Sequence, residues 1–264
     1  MVISLFLHML RVFVTSAFRD FRWGAWVCGV GLLGVAFGLA FTGYSLVYQQ
    51  LSYWAMTVTS NIMGSVPIIG ATLKSFFLAG PDVNPATLSR MYALHVQVLP
   101  ASIIALIGGH IFFVRLLGLH KPGSEKDVKE EDERMEKEGP YHFFPDHILS
   151  ETAVFLYFVL VIILLAIAVP AVMGEPADPT TTPEHIKPEW YFLPFFHMLK
   201  LVPGTAGIII MGVIATLVVC WPVIDHYIFQ RIDKALNWRF ECSLIFGLIA
   251  IGFYMLWAVV ETVV

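Results

Sequence analysis

Six apolar stretches, each close to the length that crosses a bilayer, leave this chain few folds. A transmembrane helix needs roughly 20 apolar residues. Such runs occupy about 1–18, 24–45, 90–117, 148–170, 205–223 and 241–262. Of the residues, 58% are hydrophobic and 14% charged, against about 25% charged in a soluble domain. One globular core cannot hide that excess, so a lipid bilayer is the natural solvent. The expected fold is all-α: a polytopic transmembrane helix bundle of about six segments, the first partial, with interfacial segments between some of them.

The connections differ in kind. Residues 46–89 contain Pro67, Pro81 and Pro85, and residues 171–204 contain Pro176, Pro179, Pro183, Pro188, Pro194 and Pro203. Neither can be one straight helix, and both carry the aromatics of interfacial segments. Residues 121–138, KPGSEKDVKEEDERMEKE, are a solvated charge run without apolar period. The chain thus divides into an amino-terminal region (1–120), a charged linker (121–147) and a carboxy-terminal region (148–264). If the spans alternate, most Lys and Arg fall on one side, that of Arg11, Arg19, Arg22, Arg115, Arg231 and the linker. Lys74, Arg90, Lys187 and Lys200 fall on the other. The linker is therefore cytoplasmic or its equivalent. Both proline-rich connections meet at the opposite, positive face, where irregular backbone must be buried or wetted and so suggests a built site.

His95 and His110 share one predicted helix, fifteen residues apart. That spacing turns an α-helix through roughly 1500°, about 60° beyond four turns, and raises it about 22 Å. Both imidazoles face broadly one side, one near each membrane surface. They suit two stacked metal centres, or hydrogen-bonded packing; spacing alone leaves both open. Arg90 lies five residues before His95 and Arg115 five after His110. Guanidinium groups there fit the carboxylates of an edge-on heme, or simply snorkel at helix ends. His8, followed by Arg11, comes level with His110. Two facing imidazoles leave iron no open position, which suits electron transfer. Gly24, Gly31 and Gly38 recur every seven residues on the second run, a face that admits either a helix or a flat cofactor.

Glu189, in KPEWYFLPFF, is the other acid in an apolar setting. A carboxylate that reaches a quinol hydroxyl can take its proton; an inert interfacial acid is the plainer alternative. Asp146 opens the fifth run, where it could deliver protons to a reduced quinone or stabilise a helix start, with His147 beside it. The three cysteines, Cys28, Cys220 and Cys242, form no CxxC or CxxCH, so neither a disulfide framework nor a conventional c-type heme site is supported. No cleavable signal peptide is evident, and no nucleic-acid partner is expected.

Taken together these residues resemble the cytochrome b family of the cytochrome bc complexes. Pro188-Glu189-Trp190-Tyr191 matches its PEWY signature, Thr87 to Pro100 its fourth helix, and Phe6 to Phe13 the end of its second. Phe41 to Leu46, Tyr53 to Gly70 and Ala79-Gly80-Pro81 resemble segments around its quinol site. The resemblance implies two b-type hemes stacked across the membrane. His95 would ligate the positive-side heme, and His8 with His110 the negative-side one. Arg90 would pair with a propionate of the first, and Arg11 and Arg115 would serve the other end. Glu189 and Tyr191 would act on quinol, with Pro188, Trp190 and Ala55 lining the pocket; Gly31 and Gly38 would lie along the cofactors, and Asp146 near the second quinone site. The implied partners are a Rieske iron–sulfur protein, a membrane c-type cytochrome or equivalent, quinone, the bilayer and a second copy of the complex. The implied membrane is the bacterial cytoplasmic membrane or another energy-transducing one.

Some features favour the chloroplast and cyanobacterial branch. The histidine spacing is one longer than in the mitochondrial branch, Arg115 stands where that branch has an arginine beside an additional covalently attached heme, and no eighth helix follows. The linker nevertheless joins two parts that the chloroplast branch makes as separate chains. Val47 and Tyr48 depart from the family's usual proline and tryptophan. The family's first helix-two histidine should precede His8 by about fourteen positions, before Met1. A truncated amino terminus is the preferred explanation, because splitting a helix inside lipid strands its backbone groups; a separate chain is the alternative. An additional c-type heme stays undecided. Two other classes also use intramembrane histidines: a diheme anchor of another oxidoreductase, which has no need of Pro188 to Tyr191, and a proton-relaying transporter without heme.

Overall fold

The computed structural model describes residues 1–19, 21–118, 133, 142–184, 186–202, 204–236 and 241–263. Most of the charged linker, 121–132 and 134–141, lies outside them. The chain forms two compact units, one of residues 1–119 with 175–264 and one of 120–174. Among the described residues no strand forms, and extended pairing is confined to one antiparallel bridge between Gln49 and Pro176.

In the larger unit the helices are α1 (Val2–Val14), α2 (Trp23–Leu46), α3 (Gln50–Gly64), α4 (Gly70–Leu78) and α5 (Pro85–Leu117). The smaller unit contributes α6 (Ile148–Ala168). The larger unit resumes with α7 (Leu193–Leu201), α8 (Thr205–Val219), α9 (Trp221–Ala235) and α10 (Cys242–Val263). Four helices, α2, α5, the helix containing α6 and α10, are long and apolar enough to span a membrane. In lipid a helix is the one open-chain form that satisfies its own backbone. The expected fifth span is broken: α8 and α9 meet at 67° around Pro222, whose ring cannot continue the α-helical bonding. The expected first segment is the 13-residue α1.

The α2–α5 pair is the spine of the larger unit. A Cβ at Gly24 would lie 2.6 Å from the Phe113 ring, one at Gly31 3.5 Å from Leu106, and one at Gly38 3.3 Å from Leu99. Each step of seven along α2 is thus matched by a step of seven back along α5. The helices run antiparallel, with large side chains of α5 seated over the glycine face of α2, and the missing side chains let the backbones approach.

Helix α5 begins at a well-made cap, where the Asn84 side chain accepts from the backbone N–H of Ala86 and Thr87 and Pro85 takes the first turn. It then widens into a π turn over Leu94–Val98, in which Leu99 N–H reaches back to the Leu94 carbonyl. The turn holds His95 and comes just before Pro100, which has no N–H to give. A π turn takes up one extra residue. The fifteen residues from His95 to His110 therefore rotate like fourteen in a plain α-helix, about 40° short of four turns rather than 60° beyond them. The imidazoles keep to one side, with the offset reversed from the sequence expectation.

Two apolar clusters flank the spine. Met56, Phe77, Leu78 and Met91 join α3, α4 and the start of α5 to the end of α2. At the other end Phe13, Phe18 and Trp26 gather against Val218, Trp221 and Leu244, and Trp26 Nε1 donates to the Val218 carbonyl at 2.8 Å. Beside the second cluster lies an ion network. Arg19 forks onto the fully buried Asp225 carboxylate at 2.7 and 2.8 Å and reaches Glu241 at 3.0 Å. Gln230 also donates to Asp225, and Ser16 to Glu241. The network ties the segment after α1 to α9 and the approach to α10. Removing one partner of a buried bidentate pair leaves a desolvated charge. Asp225→Ala should therefore destabilise the protein by on the order of 3 kcal/mol, read as a fall in thermal unfolding temperature; an unchanged temperature would show that the network carries no stability.

Candidate cofactor and quinol site

The two histidines of α5 both turn toward α2, one at each end of the pair. His110 Nδ1 lies 2.8 Å from the Ala25 carbonyl. A carbonyl can only accept, so Nδ1 carries the proton and Nε2 keeps the lone pair, the arrangement of a metal-ligating imidazole with its outer partner. A Cβ at Gly29 would stand 3.4 Å from the His110 ring. The rings of His8 and His110 lie 6.4 Å apart, centroid to centroid, at 74°. Two imidazoles bound to opposite faces of one iron, each nitrogen about 2 Å from the metal and roughly 1 Å from its own centroid, stand about 6 Å apart. The pair fits that arrangement.

His95 is held in a parallel way. Thr42 Oγ1 lies 2.9 Å from His95 Nδ1 and 2.7 Å from the Gly38 carbonyl. With the hydroxyl donating to the carbonyl, it accepts from Nδ1–H, and Nε2 is again the free lone pair. A Cβ at Gly43 would come within 2.8 Å of the His95 ring, so this position has no room for a side chain. Among the described residues no group of three or more His, Cys, Asp or Glu converges. The donors present suit a metal that brings its own equatorial ligands, as a porphyrin does.

The arginines lie at the helix ends. Arg90 sits 5.2 Å from the centre of the Phe76 ring and donates to the Ser75 carbonyl at 3.3 Å. Arg11 occupies the last turn of α1 and Arg115 that of α5, both exposed. Gly31 and Gly38 face Leu106 and Leu99, so the space above them is filled by helix packing, and the glycines that face imidazoles are Gly29 and Gly43. Sequence reading passed over those two, along with Thr42. The available signal was their spacing of fourteen, almost that of the histidines opposite.

The segment Pro188–Tyr191 forms a turn before α7, in which Phe192 N–H donates to the Glu189 carbonyl at 2.8 Å. Its aromatics reach the spine. Tyr191 stacks on Phe37 of α2 at 5.9 Å and 5°, and Trp190 lies 6.3 Å from Phe6 of α1. Burial raises the Tyr191 phenol above its ordinary pKa, and the nearby Glu189 carboxylate and Tyr44 raise it further, so it stays a neutral donor. Glu189 itself is exposed. Ala55 is half-buried on α3 between Trp54 and the fully buried Met56. A cleft of about 340 Å³ opens between α3 and α7, lined by Val58, Asn61, Ile62, Phe196, Leu199 and Lys200. Asp146 belongs to the smaller unit, where it is exposed and its carbonyl accepts from Ser150 Oγ at 2.8 Å.

Residues 1–176 match the family model described as cytochrome b(N-terminal)/b6/petB, and residues 176–263 match cytochrome b(C-terminal)/b6/petD. A solved chain from a hyperthermophilic respiratory Complex III is similar in fold, with a TM-score of 0.68 at 24% identity over 98% of this chain and 74% of that one.

Gly43→Ala should push the His95 ring aside and remove about half of the b heme retained on purification, because ligation tolerates little displacement. Gly34→Ala, which meets nothing within 4 Å, should retain all of it. Pyridine extraction measures the ratio of heme to protein; equal retention by both variants would show that Gly43 makes no room for a ligand.

Proposed function

The chain belongs to the cytochrome b family of the cytochrome bc complexes, and on that premise we propose that it oxidises quinol and reduces quinone as the diheme subunit of a proton-translocating quinol:cytochrome c (or plastocyanin-like acceptor) oxidoreductase. The observation that carries the reading is the His8–His110 pair at 6.4 Å, with His110 Nδ1 committed to the Ala25 carbonyl. His8 and His110 would hold one b-type heme and His95 the other. Bound there, the hemes would supply one-electron centres, one at each end of the α2–α5 pair.

The protein's own part is binding, orientation and proton handling. Ala25 and Thr42 fix the imidazole tautomers, so the lone pairs needed for iron are available without a protonation change. Arg90 offers positive charge at the His95 end, and Arg11 and Arg115 offer it at the other. Quinol oxidation releases two protons and two electrons. Glu189, exposed and near enough to Tyr191 to help keep its phenol protonated, accepts a proton from the quinol hydroxyl. Neutral Tyr191, with Pro188, Trp190 and Ala55, shapes the surroundings. Asp146 would donate protons at the second quinone site. The partners on this reading are a Rieske iron–sulfur protein, a membrane c-type cytochrome or equivalent, and a second copy of the complex, in an energy-transducing membrane such as the bacterial cytoplasmic membrane.

His110→Leu should abolish one of the two b-type signals in the reduced-minus-oxidised spectrum; two signals at full strength would refute the ligand assignment. Glu189→Gln removes a proton acceptor and no ligand. It should slow quinol oxidation by on the order of 10²-fold with the b spectra intact, whereas loss of the spectra would assign Glu189 a structural role.

A further inference from the structure

Helix α10 is apolar along nearly its whole length, and Glu261 is its single charged residue. A carboxylate in such a helix is costly unless fully partnered. Glu261 is 1% exposed, and it receives His197 Nδ1 on one oxygen at 2.8 Å and Lys200 Nζ on the other at 2.7 Å. Lys187 Nζ donates to its backbone carbonyl at 2.9 Å. Seven residues earlier on α10, Tyr254 Oη donates to the Tyr191 carbonyl at 2.8 Å.

These bonds are not scattered. Lys187 immediately precedes Pro188, Tyr191 closes the PEWY segment, and His197 and Lys200 lie one turn apart on α7, which follows it. One helix therefore grips the segment before it, in it and behind it. Rings reinforce the grip: Trp257 lies 5.8 Å from His197, and Tyr254 5.8 Å from Phe195. Residues 186–189 have no regular structure of their own, so their backbone is set from outside.

We propose that Glu261 and Tyr254 are positioning residues for quinol oxidation, through which α10 holds Glu189 and Tyr191 in register with the bound quinol. The inference rests on the proposed function. Neither residue needs to touch the quinol. Loss of a hold of this kind acts through geometry, where a displacement of about 1 Å can cost about 10²-fold in rate.

The test uses the intact complex with all its subunits, carrying Glu261→Gln or Tyr254→Phe. Readouts are kcat and KM for quinol oxidation, both b spectra, and heme reduction through the opposite quinone site. The expected result is a fall in kcat for quinol oxidation of about tenfold in each variant, with both spectra at full strength and the opposite site unaffected. Tyr254→Phe loses one hydroxyl and keeps the ring, so it decides the matter even if Glu261→Gln fails to assemble. A kcat within twofold of the unaltered complex in Tyr254→Phe overturns the proposal. So does a parallel loss of both spectra and both quinone activities, which would mean a general structural role. An unaltered complex that cannot oxidise quinol would overturn the proposed function, and this inference with it, before any variant is made.

Discussion

The close approach of α2 to α5 is the constraint from which the rest of the larger unit follows. Gly24 lies under the Phe113 ring, and Gly31 and Gly38 lie under leucines spaced to match. In lipid the hydrophobic effect does not drive helices together, so packing and hydrogen bonding must do so. With the seam closed, the ends of α5 fall where α2 can receive them: His110 against Ala25 and Gly29, His95 against Thr42 and Gly43. A bulky residue in the seam would separate both imidazoles from their acceptors at once. The seam thus couples helix packing to cofactor chemistry.

An imidazole inside a membrane has two nitrogens to satisfy, and at His110 and His95 the described residues satisfy one, Nδ1. The Ala25 carbonyl takes the Nδ1 proton of His110. Thr42, whose own proton goes to the Gly38 carbonyl, takes that of His95. The remaining nitrogen would be an unmet acceptor in lipid, at a cost of several kcal/mol, unless a ligand used it.

Much of this was legible in the sequence, because lipid forces long apolar runs and the signature residues are contiguous. Four of the six expected spans, the shared side of His95 and His110, and the level of His8 with His110 could be read from run length, spacing and chain direction. The π turn could not, although Pro100 was visible, because whether a helix widens or kinks before a proline depends on its neighbours. The bend at Pro222 was hidden for the same reason, inside a run that reads as straight. The heptad of Gly24, Gly31 and Gly38 fitted a cofactor as well as a helix, and only three-dimensional pairing assigns that face to Phe113, Leu106 and Leu99. Tyr254 and Glu261 gave no local signal, since each is solitary in an apolar helix and the side chains and carbonyl they bond lie about sixty residues away in sequence.

The central claim is that His8 and His110, whose rings stand at 74° to each other, would together hold one heme iron. Electron paramagnetic resonance of the oxidised complex tests this most directly. Two strong-field imidazoles make ferric iron low-spin, and crossed planes widen its g anisotropy. The account predicts two low-spin b signals, of which one, highly anisotropic, disappears when His8 is replaced by Ala while that of the His95 heme remains. A high-spin signal in the unaltered complex, or survival of both low-spin signals after the loss of His8, would contradict it.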